Sequence, residues 1–547
     1  MIIGKKTLVT NNFWSCKLAC LVSLLLLLQS CAATKAQPVK TYNLVTDFGA
    51  VGDNRTNNYA AFQHAAATLS GKRNILLQIP QGQYYIADYK VEGGPKKNNI
   101  SDVIFRNITG FRIEGNNSLV RVNGNFKRSA DYKNSGVSFD YAYNNTVSPF
   151  TFTNCNQTSL NDITVEGGVQ QMTKDPHVVE GFCYGVMIQD IKPGDVSSNV
   201  SFNNIHVNYF ATDGLFIRSS GKNIRVNNSS FMHNARQGCS IVKGKDITIN
   251  RSVFDSTGYT GKYGSHSPAA GVDIENEYSI ADLTGVKISN SVFRHNFGFQ
   301  FVSTAASGTV MLDSCFFRDN TGGYSNGFNG VGIYSYNSGM TNSILFGMIQ
   351  LETAHETYQG TQPLLYKNNI IYSGQSAILS SDFNSKADIT DNLLLMLPNA
   401  VPGQFFPHIR NSNANFTRNL IVLHADKMLT HKNQFTGLVQ NVKNANDNFW
   451  FINNNKSATA KAVKQTKDFY FVSYDGVKNL GNQFFPENEK IASARDPKSK
   501  MLSINKTDEL LGSSLFREFN QQSYNATFLA QADLIRKSMA MIAGPLK

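Results

Sequence analysis

Charge is scarce in this chain, and cysteine is scarcer. Only 16% of the 547 residues are charged against 41% apolar, and Gly, Asn and Phe are common. That composition argues against a helical bundle and for an extended all-β body with many polar turns. Seven cysteines occur, and only Cys155, Cys183, Cys239 and Cys315 lie beyond the N-terminal segment. Their irregular spacing carries no metal signature. A disulfide is open to an exported protein, but the repeat described below places Cys315 in a column of small buried residues. No block of Lys and Arg interleaved with aromatics exists, which removes nucleic acid as a partner. The formal charge of +12 leaves an anionic surface or an acidic polysaccharide.

The N-terminus reads as an export leader. Lys5, Lys6 and Lys17 flank the apolar stretch "LACLVSLLLLLQSC", which is too short for a comfortable membrane span. Leu28-Gln29-Ser30-Cys31 resembles a lipobox, which would leave Cys31 lipidated, whereas Thr34-Lys35-Ala36 before Gln37 resembles an ordinary cleavage site. Four lysines and no acidic residue precede Gln37, so removal there lowers the charge from +12 to +8. The expected divisions are a signal peptide over 1–36, a main domain over 37–500 and a capping or docking segment over 501–547. Either exit delivers the protein to the periplasm, to the outer membrane as a lipoprotein or to the medium. Any membrane contact would come through the lipid anchor.

A chain of this length usually divides into two or more domains, but repeats keep it one unit. Gly followed by alternating apolar residues recurs as "YGVMI" (Gly185), "DGLFI" (Gly214), "QGCSI" (Gly238), "AGVDI" (Gly271) and "FGFQF" (Gly298). Interleaved with these run "NIRVNNSSF" (223–231), "DITINRSVF" (246–254), "GVKISNSVF" (285–293) and "GTVMLDSCFF" (308–317). Neighbouring copies of this second series lie 23 or 24 residues apart, except where 257–270 are inserted. A third series sets Asn before apolar pairs at Asn342, Asn369, Asn392, Asn419 and Asn448. Strands this short are not stable alone, but they bury one another when stacked as a solenoid. The stack predicts columns of Phe231, Phe254, Phe293 and Phe317, of Ile224, Ile247, Val286 and Val310, and of Ser229, Ser252, Ser291 and Cys315. Asn227 and Asn250 should stack at a turn. The helical spacing of "NYAAFQHAAATL" (58–69) predicts a cap over the open end, "NILLQIPQGQYYI" (74–86) predicts strand, turn and strand, and 527–544 predict a C-terminal helix.

"YNLVTDFGAVGDNRTNNYAAFQHAAATL" (42–69), with Pro80-x-Gly82-x-Tyr84, resembles the opening of the pectate lyase superfamily, which includes rhamnogalacturonase-like and epimerase-like members and phage tailspikes. With the repeats from about 160 to 455, the resemblance covers most of the chain. It implies a single-stranded right-handed parallel β-helix with a short N-terminal capping helix. Its opening motif is structural in such proteins, so Asp47 and Asp53 are expected to form turns. The polygalacturonase strings Asn-Thr-Asp, Asp-Asp, Gly-His-Gly and Arg-Ile-Lys are missing, as is the Trp-x-Asp-His string of pectate lyases. Asp175-Pro176-His177 matches a tripeptide of the mannuronan epimerases without their preceding Tyr-Gly-Phe.

The chemistry concentrates at Asp273 and Glu275, on one side of "GVDIE" if Val272 and Ile274 face the core. Stacking predicts outward columns of Met187, Phe216, Ser240, Asp273 and Gln300, and of Gln189, Arg218, Val242, Glu275 and Val302. Apolar residues there imply a covered or ligand-binding groove. His233, Arg236 and Gln237 precede the pair by one turn, Asp213 lies below and His295 above. The insertion adds Tyr259 and His266 as one groove wall. Outward acids also serve solubility alone, and His233 also serves to end a turn. As catalysts, Asp273 and Glu275 would be the acid and base or nucleophile of a glycosidase. In a uronate lyase, Arg236 or a Lys would instead neutralise the substrate carboxylate while a His or Tyr removes the proton. Ca²⁺, held by Asp273 and Glu275, would be the one cofactor consistent with that route. Asp213, Gln237, Tyr259, His266, His295 and Arg218 would bind substrate. The reading is an exported enzyme that cleaves a polysaccharide, with an anionic chain one option. The alternative is a non-catalytic surface protein that binds carbohydrate or adheres.

Overall fold

The structure is a computed structural model that describes residues 38–87, 103–122, 148–171, 183–304, 307–318, 330–346 and 362–373, with shorter strand segments as far as residue 473. The leader, Asp175-Pro176-His177 and the helix expected at 527–544 lie outside the described residues.

From Thr41 onward the described chain is a parallel β-helix solenoid, a 36-stranded sheet system in which each strand pairs with the strand one turn later. The pairings run Phe231↔Phe254, Phe254↔Phe293 and Phe293↔Phe317. Their rings stack at centroid distances of 5.3, 4.9 and 4.7 Å, and all four are fully buried. The aliphatic column follows through Ile224↔Ile247 and Val286↔Val310, and Asn227 pairs with Asn250 at the turn.

The small-residue column serves the backbone. At the corner, backbone amides find a side-chain oxygen from the next rung: Ser252 N donates to Ser291 Oγ at 3.1 Å and Cys315 N to Ser343 Oγ at 3.0 Å. The column then changes to asparagine, with Ser343 N donating to Asn369 Oδ1 at 3.0 Å and Asn369 N to Asn392 Oδ1 at 2.9 Å. Such pairing satisfies corner amides that the ladder leaves over. Asn342 stands one residue out of this column: it sits at the corner with φ +51° and accepts a hydrogen bond from Asn368. All four described cysteines are buried. Burial pushes the Cys315 thiol up to about 12, which leaves it inert filling.

The α-helix Tyr59–Leu69 lays Ala61, Phe62, Ala65, Ala66 and Leu69 over the first rungs, and Phe62 packs edge-on against Tyr84 and Phe150. Asp47 and Asp53 are turn-formers as expected. Asp47 accepts Asn43 N at 2.7 Å, and Asp53 accepts the amides of Arg55 and Thr56 at 2.9 and 2.8 Å. Those bonds hold the Asp53 carboxyl below its usual range.

Candidate active site

Three parallel strands carry the candidate residues: Asp213–Asn227, Gln237–Asn250 and Ala270–Ile274. Leu215, Cys239 and Val272 pair in register and face the main core. Phe216, Ser240 and Asp273 pair on the opposite, outer face. Close approach at the strand starts demands glycine. A Cβ on Gly238 would sit 2.5 Å from Gly271 O and 3.0 Å from the Phe254 ring.

The outer face here is covered. Tyr184, Met187, Phe216 and Val242 form a second buried apolar cluster, as the apolar outward residues led us to expect. An open groove does not survive, because Asp213 is 0%, Arg236 3% and Asp273 4% exposed. The insertion lies against this turn: Gly258 N donates to Asn234 O at 2.7 Å and His266 N to Ala235 O at 2.8 Å.

Arg236 is bound to Asp213 rather than to the acidic pair. Its Nε and Nη2 donate to the two Asp213 oxygens at 2.8 and 2.6 Å, a bidentate buried ion pair. Gln237 Nε2 donates to Asp273 Oδ2 at 2.5 Å, while Gln237 Oε1 is buried without a partner. Burial raises the Asp273 carboxyl well above its ordinary range, and the charge of Glu275 raises it further. Arg236 and the Gln237 bond oppose this and lose. Asp273 is therefore harder to ionise than an ordinary aspartate. Glu275, just past the strand end, is exposed to water.

Two register expectations need correction. Asp273 pairs with Val302, and Gln300 falls level with Gly271, so "FGFQF" stacks two residues away from the predicted alignment. An irregularity after Ile217 puts Arg218 against Lys243 instead of Val242. Repeats of unequal length shift outward columns while the inward apolar alternation is preserved.

The remaining candidates are dispersed. His233 and His295 occupy one corner column with Tyr209 and Ser256, all at positive φ between 54° and 64°. His233 stacks on Tyr209 at 4.9 Å, and its Nδ1 lies 3.1 Å from Tyr259 O. His233 ends a turn, and among the described residues no contact joins it to Asp273. His295 Nδ1 meets Asp255 Oδ1 at 3.2 Å, with Arg294 Nε on Asp255 Oδ2 at 2.6 Å. Sequence reasoning missed Asp255, though its pairing with Met232 and Arg294 follows from the Phe column one residue away. Tyr259 packs edge-on against Phe297, and buried His266 meets Tyr263 Oη at 3.1 Å. Arg218 Nη2 donates to Tyr278 Oη at 2.7 Å, and Lys243 Nζ stands 4.8 Å over the Tyr278 ring. Among the described residues no three His, Cys, Asp or Glu side chains converge for a metal.

Fold and site together define a parallel β-helix protein with a buried acid of raised pKa on its outer face. No family model matches the sequence, and no curated protein matches it. Its fold resembles the A-module of the mannuronan C-5 epimerase AlgE6 of Azotobacter vinelandii, at 14% identity over 70% of this chain and 93% of that one, with a TM-score of 0.43. It also resembles the Streptococcus pneumoniae surface adhesin PfbA, at 11% over 79% and 99%, with a TM-score of 0.42. A third likeness is the endo-xylogalacturonan hydrolase of Aspergillus tubingensis, at 12% over 75% and 100%, with a TM-score of 0.34. These are likenesses of architecture and bring no activity with them.

Proposed function

We propose that this protein is an exported polysaccharide hydrolase in which Asp273 is the general acid and Glu275 its carboxylate partner. The observation that carries the reading is the contrast between neighbouring carboxyls, one buried so that its pKa is raised, the other in water. Divergent environments of this kind assign acid and base roles in glycosidases. Asp273 would give its proton to the glycosidic oxygen as the bond from that oxygen to the anomeric carbon breaks. Glu275 would attack that carbon or take a proton from the attacking water. The Gln237 amide holds the Asp273 carboxyl in place.

β-Elimination is the weaker route. It needs a cation free to meet a uronate carboxylate, and Arg236, the arginine among the candidates for that role, is committed to Asp213 in a buried pair. A binding-only surface is favoured by one feature, the exposed Tyr278 flanked by Arg218 and Lys243. The deciding experiment incubates the purified protein with a panel of neutral and anionic polysaccharides. New reducing ends without ultraviolet absorbance from unsaturated uronate support hydrolysis. Unsaturated products would overturn it in favour of elimination, and no cleavage would favour binding. Intact mass of the mature protein tests export: a lipidated N-terminus at Cys31 or an unmodified one at Gln37 supports it, and an uncut leader opposes it.

A further inference from the structure

A polar cleft of about 400 Å³ opens on the outer face of the early rungs, away from Asp273. Register builds it by stacking Tyr85, Arg121, Glu166 and Asn208 in one outward column, followed at the corner by Tyr209. The chain after Glu166 must pass close to that corner. Gly167 N donates to Asn208 O at 2.8 Å, and a Cβ on Gly167 would collide with the Tyr209 carbonyl oxygen. Gly167 and Gly168 therefore present bare peptide groups to the cleft, with Gln170 on the turn beyond.

We propose that this cleft binds a neutral saccharide unit. Its volume suits a small ligand, but its lining is polar, so an apolar ligand would strand hydrogen-bonding groups. The charges in it cancel. Arg121 Nε and Nη2 both donate to Glu166 Oε2 at 3.1 Å, and Arg121 Nη1 donates to Asn54 Oδ1 at 3.1 Å. No uncompensated cation is left among these residues to draw in a uronate or phosphate, while Glu166 Oε1 and the Gln170 amide can pair with hydroxyls. Tyr85 and Tyr209 supply the flat walls that the C–H face of a sugar needs. His233 stacks on Tyr209 with an interplanar angle of 6°, so that wall is fixed before a ligand arrives. The site is independent of the activity proposed for Asp273 and would hold a chain on the face bordering the insertion, since the turn Val169–Gln171 packs on the turn Gly261–Tyr263.

The test uses matched sugars that differ in charge. Binding of D-galactose and D-glucose to the full chain is measured by ligand-observed NMR against D-galacturonate and D-glucuronate. The neutral sugars should bind better, and Gln170→Ala should weaken them about tenfold through a lost hydrogen bond. Glu166→Gln leaves Arg121 uncompensated, so it should shift preference toward the uronates. Thermal melts of both variants confirm folding. Absence of neutral-sugar binding by the wild type overturns the proposal, as does a wild-type preference for uronates. Folded variants with unchanged affinity and selectivity also overturn it. The assay reads binding alone, so its outcome stands whether or not Asp273 is catalytic.

Discussion

The corner that carries His233 and His295 and the strand starts that carry Asp213, Gln237 and Asp273 are both rich in titratable residues, yet they are built for different ends. At the corner, backbone geometry dictates the residue: four successive rungs hold φ between 54° and 64°, and half-exposed polar side chains suit that position. At the strand starts, nothing in the backbone asks for an acid, and burial makes each one costly. A charged residue that the fold does not need and must partner is the better candidate for chemistry. Adjacency of titratable residues in sequence is thus a poorer guide than the environment each one enters.

The contrast can be broken by mutation. Arg236→Ala takes the guanidinium away from the buried Asp213 carboxylate, and should cost about 3–5 kcal/mol in a denaturant titration. Phe254→Ala, in the core column that both regions share, should cost about 3–5 kcal/mol by opening a cavity, which calibrates the first value against pure packing. At the corner, His295→Val puts a β-branched residue at φ +54° and should cost about 1–2 kcal/mol. His295→Asn, which tolerates that conformation, should stay within about 0.5 kcal/mol of wild type. A corner variant as damaging as Arg236→Ala would erase the distinction.

The interior was legible in the sequence because inward residues obey one rule, apolar alternation, at every rung. The Phe, Ser and Ile/Val columns and the capping helix followed from it. The outer face obeys no such rule. Its register depends on loop lengths between strands, so Gln300 was placed level with Asp273 when it lies level with Gly271. Whether an outward residue meets water depends on what covers it, so Arg236 and Asp273 were expected in an open groove and are buried. The ion pair between Arg236 and Asp213 was missed because both were already assigned to the substrate. Asp255 was passed over because it stands outside the glycine-led strands.

Everything proposed for the activity rests on Asp273 holding a proton at neutral pH. Its raised pKa means that the folded protein binds a proton which the unfolded chain has released above 3.8. Asp273 therefore lowers stability progressively as pH rises from there toward its folded value, and Asp273→Asn should gain on wild type over that window. The direct measurement is the infrared difference spectrum between wild type and Asp273→Asn at neutral pH. A protonated carboxyl C=O band, present in wild type and missing in the variant, is the predicted result. Carboxylate bands in its place would show Asp273 ionised and contradict its role as the acid.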